Sequence, residues 1–368
     1  MRRLIQTVYQ KFARRDDLTQ KRAPAPPIER VALGLAIGAL GGLVAHWAHV
    51  PLAFMLGALF ATIFASAAGA PVAASNRLRA AFLVLVGLFL GQSFEAGEAE
   101  RMLSWPLSIA MAILYVPVAS GLVFLFYERV AGWPRLSALF SAIPGGLSAV
   151  IMFSAALGAD ERDVALSQSL RIAIVVLTAP AIVFGVLGYV EPSLLHAEVT
   201  LLTLPEIGWL VLGCGAAYAV LVALGAPIPF LMAPLLGSAV VRLAGLVTGE
   251  LPGWMVEVAL VVTGSSIGCR FAGTSGRVLL TLALWTVAGT TLLMLIAAVF
   301  ALVASHALGL DLLASMLAFA PGGVAEMCLI ALALDADPAF VAAHHLARIV
   351  FILVLTPLFA VWVRRRML

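Results

Sequence analysis

Charge is what this sequence has least of. Only 11% of its 368 residues are Asp, Glu, Lys or Arg, where a soluble domain carries about a quarter. A soluble surface and a disordered chain both need more. Cysteine is scarce too. Cys214, Cys269 and Cys328 stand far apart, with no CxxC and no even-numbered framework, so neither a disulfide scaffold nor a zinc site is indicated. No GxSxG, HExxH or P-loop appears. There is no basic patch interleaved with groove-reading elements, so nucleic acid is not an expected partner.

Apolar residues fill the space. They make up 63% of the chain, and the mean hydropathy is +1.09. The apolar runs are long and continuous. A spanning barrel would show short alternating segments, so the chain is read as an all-α polytopic membrane protein whose first partner is the lipid bilayer. The segments run roughly 31–49, 51–70, 77–94, 105–127, 135–158, 164–187, 207–224, 228–248, 254–272, 277–305, 311–334 and 338–363. Pro, Gly or charge breaks them.

Eight of the 22 basic residues precede the first run, from Arg2 to Arg30, and Arg364, Arg365 and Arg366 close the chain. By the positive-inside rule both termini are cytoplasmic, in an inner membrane of bacterial type. Residues 1–22 group Leu4, Ile5, Val8, Tyr9 and Phe12 among basics, which fits either an interfacial amphipathic helix or a frayed tail. Pro24, Pro26 and Pro27 form a stiff linker after it.

The chain repeats itself. Pro144, Asp160, Val164, Arg171 and Pro180 return as Pro321, Asp337, Val341, Arg348 and Pro357, all at one spacing of 177 residues. Gly87 and Gly91 return as Gly264 and Gly268 at the same spacing. This divides the chain into a cytoplasmic tail and linker (1–30), repeat one (31–187), a connection (188–206), repeat two (207–363) and a basic cytoplasmic tail (364–368). Internal repeats in polytopic proteins mark many secondary transporters, with the site at the repeat interface.

Two tandem copies carrying a PGG element, with Asp and Arg downstream, resemble the membrane AbrB family, whose domain is called the AbrB duplication. The resemblance covers about 330 residues. It implies a polytopic membrane fold, and it brings two functional labels: regulator of gene expression and ammonia monooxygenase. The family pattern has Glu after the PGG element. Copy two keeps it as Glu326, but copy one has Ala149 at that place.

Two topologies compete. Six full spans per half make the halves parallel, with Arg101, Arg162, Arg270 and Arg277 outside and 16 basics inside. If each PGG segment is a re-entrant hairpin, each half has five spans plus a hairpin and the halves are inverted. Then 18 basics lie inside, Arg101 and Arg242 outside, and Arg171 and Arg348 in the membrane. The charge rule favours the inverted arrangement. Arg135 to Ile143 is nine residues, about 14 Å of helix, or half of a hydrocarbon core.

The PGG tips, Pro144-Gly145-Gly146 and Pro321-Gly322-Gly323, are the leading candidate site. Broken backbone at membrane depth offers N–H and C=O groups to a substrate anion or a cation, although a packing kink would use the same residues. Ser141 and Ser148 add hydroxyls near the first tip. Charges within spans come next: Glu326, Arg171 and Arg348. Glu326 is expected either to pair with one of these arginines or to couple a proton or cation. The arginines are expected either to grip a carboxylate or to satisfy carbonyls that the hairpins leave free. Gln168 and His345 hold matching places three before each Arg. His344, four before Arg348, shares its helix face and is expected in the same cavity. Asp160 and Asp337 are expected as helix caps.

The resulting expectation is a secondary transporter of a small, anionic solute coupled to H+ or Na+. The alternatives are a membrane sensor or regulator without net flux and, behind both, a monooxygenase. Enzyme chemistry and a cofactor are not expected, because no His and carboxylate cluster has ligand spacing. A homodimer fits folds of this kind, but no residue specifies one.

Overall fold

The computed structural model describes residues 26–94, 105–145, 147–185, 200–224, 229–274 and 276–367. The amphipathic stretch 1–22, Pro24, Gly146 and most of the 188–206 connection lie outside the described residues, as do the side chain of Ser148 and those of the basic tail.

Fourteen α-helices are described. The first seven are α1 (Ile28–Trp47), α2 (Ala53–Ala67), α3 (Asn76–Gln92), α4 (Trp105–Arg129), α5 (Arg135–Ala142), α6 (Leu147–Ala156) and α7 (Glu161–Gly185). The second seven are α8 (Leu204–Ala223), α9 (Pro229–Leu243), α10 (Trp254–Gly268), α11 (Gly276–Leu308), α12 (Leu312–Phe319), α13 (Val324–Ala333) and α14 (Pro338–Met367), with a 3₁₀ turn at Cys269–Phe271 after α10. The β pairing among the described residues is one bridge, Leu201 to Glu250. Six helical segments are long and apolar enough to cross a bilayer: 28–47, 105–129, 161–182, 204–223, 254–271 and 282–308. With exposed Leu, Val and Trp along α1 and α8, this is an integral membrane protein.

Both PGG segments break. Pro144 lacks an N–H and Gly145 has φ +115°, so α5 stops at Ala142 and α6 begins at Leu147. Pro321 and the two glycines after it separate α12 from α13, there without a positive φ. The Asp160 N–H donates to Ser137 Oγ at 3.3 Å. Ser137 opens α5 and Asp160 follows α6, so the two outer ends of this broken pair lie together. A continuous helix would hold these residues about 35 Å apart. Asp160 accepts from the Asp163 N–H and Asp337 from the Phe340 N–H, so both act as the expected caps of α7 and α14.

Glycines let the halves interlock. Gly87 and Gly91 on α3 lie against the α9 backbone at Leu231 and Leu235, with Ser238 Oγ over Gly91. Gly264 and Gly268 on α10 lie in the same way against α2 at Met55 and Leu59, with Thr62 Oγ1 over Gly268. A Cβ on any of these glycines would fall on backbone or hydroxyl atoms of the other half. Ser238 donates to the Leu88 carbonyl and Ser66 to the Gly268 carbonyl, bonding the helices where they approach. On α1 the buried residues are Gly34, Gly38 and Gly42, one helix stripe facing inward while larger side chains face lipid.

Gly264→Val should therefore lower the stability of the whole chain by about 1–3 kcal/mol, the usual range for overpacking. Gly121→Val, at a glycine with open space around it, should not. Thermal unfolding of both variants in detergent micelles tests this, and equal melting temperatures would refute the interlock.

Candidate functional site

A helix that stops inside a protein leaves its last carbonyls without partners. At the end of α5 these are the carbonyls of Phe140 and Ile143. Gln168 Nε2 donates to both, at 2.8 and 3.2 Å, and Arg171 donates to Ile143 at 2.7 Å. At the end of α12 the matching carbonyls are Leu317 and Ala320. His345 Nε2 meets the first at 2.9 Å, and Arg348 donates to the second at 2.8 Å and to Gly322 at 3.2 Å. The two sets of partners are related by the same 177-residue spacing as the sequence motifs. A guanidinium at a helix C-terminus is also favoured by the helix dipole.

Arg348 also donates to His345 Nδ1 at 2.8 Å. Arginine can only donate, so Nδ1 accepts and the imidazole proton sits on Nε2, aimed at Leu317. Both ring nitrogens of His345 are thus engaged. His344 does not look into this space. It meets the Phe340 carbonyl at 2.7 Å and Ser108 Oγ at 2.8 Å, bonding α14 to α4 of the other half. Its counterpart Ser167 likewise meets Thr286 of the other half, at 3.5 Å. His345, at i−3, bonds Arg348 directly, while His344, at i−4, stays within electrostatic reach of it and packs near Phe319.

Glu326 does not pair with Arg171 or Arg348. Its carboxylate folds over Gly323 at the second tip and faces a cleft that also holds Arg79 and Arg270. The first tip approaches the second half directly, for a Cβ on Gly145 would lie 3.4 Å from Ile352 and 3.5 Å from Arg348 Nε. The positive φ favours glycine there, while the contact itself would admit a Cβ. Pro144, Gly145, Pro321 and Gly322 are buried and Gly323 is half-buried.

Several polar atoms around the tips are buried without a partner: Ser141 Oγ, Gln168 Oε1, Arg171 Nε, Arg348 Nε and Tyr115 Oη. Arg171, Arg348 and Tyr115 lie within electrostatic reach of one another. Sequence reasoning missed Tyr115. It sits mid-helix in α4, its ring edge-on to Phe300 and Phe319. A tyrosine in the middle of an apolar span, two residues before Pro117, was the available signal. Among the described residues no three His, Cys, Asp or Glu side chains gather as metal ligands.

These features define a class: a helical membrane protein with two broken helices whose ends are held by buried arginines, one in each half. The chain belongs to the AbrB family. The family profile, described as Transition state regulatory protein AbrB, matches residues 54–364. The chain is similar to YhjN of Bacillus subtilis (strain 168), a protein whose name assigns no function, at 27% identity over 88% of this chain and 91% of that one. It is also similar to a protein of Escherichia coli (strain K12) called "Putative regulator AbrB", at 27% identity over 85% of this chain and 90% of that one.

Because Gln168 performs in one half what His345 performs in the other, His345→Gln should leave the melting temperature within a few degrees of the parent. His345→Leu leaves the Leu317 carbonyl unpartnered and should cost about 1–3 kcal/mol. Thermal unfolding of the two variants side by side measures the difference. Equal losses would show that the two positions are not equivalent.

Proposed function

We propose that the protein is a secondary transporter of a small anionic solute, coupled to H+ or Na+, in a bacterial inner membrane with both termini cytoplasmic. The observation that carries this reading is the pair of buried arginines at the meeting of the two broken helices. Arg171 bonds a tip carbonyl through one terminal nitrogen and Arg348 through both, and each keeps a buried Nε–H free. Two positive charges side by side with no ion-pair partner are costly at membrane depth. An anion between them would relieve that cost, and Tyr115 Oη and Ser141 Oγ supply further donors. The site is therefore read as Ser141, Pro144, Gly145, Gly146, Ser148, Gln168, Arg171, Pro321, Gly322, Gly323, Glu326, His345 and Arg348, extended by Tyr115.

The same reading takes each PGG segment as a re-entrant hairpin and the halves as inverted repeats. The contact of Asp160 with Ser137 supports a segment that enters and leaves on one side. With α5 and α6 forming such a hairpin, α1, α2, α3, α4 and α7 give five crossings, an odd number that inverts the second half. Inverted repeats suit alternating access around a fixed central site. No catalytic step is assigned to the chain.

The test has two arms. A Glu198→Cys variant should be labelled by an impermeant thiol reagent from the periplasmic face only. A cytoplasmic position would refute inversion and the hairpin. In proteoliposomes, a panel of short radiolabelled carboxylates should reveal a substrate with net uptake driven by an ion gradient. Arg171→Gln should abolish that uptake, and Tyr115→Phe should reduce it about tenfold, as the loss of one hydrogen bond to an anion would. Saturable binding without flux would favour a sensor in place of a transporter.

A further inference from the structure

A second cluster of charge lies away from the central arginines. Between α3, α10 and α13 is a narrow cleft, part of it open to the outside. Its apolar walls include Phe82, Leu83 and Val262, and its polar groups are Arg79, Arg270, Glu326, Thr263 and Ser266. Arg270 lies within electrostatic reach of both Arg79 and Glu326, yet no ion pair joins any two of the three. Arg270 Nη1 is buried and has no hydrogen-bond partner. Arg270 senses both other charges across a gap and bears an unused buried donor, which leaves a space shaped for something else. The gap carries two positive charges against one negative.

We infer that this cleft is a second anion-binding site, an antechamber to the tips that takes a small hydroxy-carboxylate. The carboxylate lies between Arg79 and Arg270, and the hydroxyl donates to Glu326. Glu326 links the cleft to the centre, because its carboxylate also covers Gly323 of the second tip. A solute that engages Glu326 draws it off the tip and exposes the broken backbone behind it. The cleft has no twin. The positions matching Arg79, Arg270 and Glu326 at the 177-residue spacing are Val256, Ser93 and Ala149. The chamber therefore serves one face of the membrane only. This inference rests on the transport reading for its purpose, but its test does not depend on flux.

The experiment introduces Thr263→Cys into the full-length chain in micelles. It compares labelling by an anionic sulfonate methanethiosulfonate with labelling by a cationic trimethylammonium one, each rate normalised to free cysteine and read by peptide mass spectrometry. The anionic reagent should react about tenfold faster, the preference expected of a net positive site near the surface. Arg270→Gln should bring the ratio close to one, and glycolate should slow the anionic reaction more than acetate does. Should Arg270→Gln fail to fold, Arg79→Gln at the cleft's edge must lower the ratio instead. Equal rates in the parent, no reaction with either reagent, or a preference unchanged by both arginine variants would overturn the inference. Transport that is lost in Arg171→Gln while the cleft shows no charge preference would refute the antechamber alone. A selective cleft in a chain without flux would refute the transporter alone.

Discussion

Carbonyl groups freed by a broken helix cannot be left unsatisfied inside a membrane protein, and the rest of this structure follows from how that demand is met. Water is not at hand, and a lone C=O in hydrocarbon costs several kcal/mol. The protein uses Arg171 and Arg348, whose guanidiniums reach carbonyls at 2.7 and 2.8 Å. At Arg348 a lysine could offer a charge but not a planar fork that spans two carbonyls. Holding the tips by cations then creates a second demand. The charges are buried and sense one another, and on the proposed reading an anion meets that demand.

The first tip reaches Arg348 because the two parts of the chain interlock. α3 docks through Gly87 and Gly91 on the second half, and α10 docks through Gly264 and Gly268 on the first. Without a hydrophobic force between helices in lipid, such close backbone approach supplies the attraction. Bonds from Ser167 to Thr286 and from His344 to Ser108 then tie α7 and α14 to the long helices of the opposite half. The glycines and the polar cross-links thus do one job, which is to bring two distant stretches of chain to a common centre.

Much of this was legible in the residues themselves. The 177-residue spacing identified the broken elements, the glycine pairs and the arginines before any geometry, because a repeated unit must repeat its solution to the carbonyl problem. Of the two roles that the sequence leaves open for the arginines, bonding to tip carbonyls is the one seen in the hydrogen bonds. Three features were not legible. His344 and His345 both share a face with Arg348 by spacing, and only packing against Ser108 decides between them. The surroundings of Glu326 come from Arg79 and Arg270, which are remote in sequence and meet it only through the interlock. Tyr115 was hidden because one tyrosine in an apolar span reads as core until its hydroxyl is found without a partner.

The departures from the repeat carry as much meaning as the repeat. In the inverted arrangement proposed above, chemically identical halves would present the same groups to both membrane faces and could not distinguish them. Here the scaffold contacts obey the repeat: Gln168 and His345 do the same work, as do Arg171 and Arg348. The cleft beside the second tip does not obey it. Arg79, Arg270 and Glu326 oppose Val256, Ser93 and Ala149, so each charged position in the cleft is neutral in its counterpart. Buried or half-buried charge is too costly to persist without a function or a partner, and these three form no ion pairs with one another. On the proposed reading, the repeated elements hold the site and the unrepeated charges tell one side of the membrane from the other.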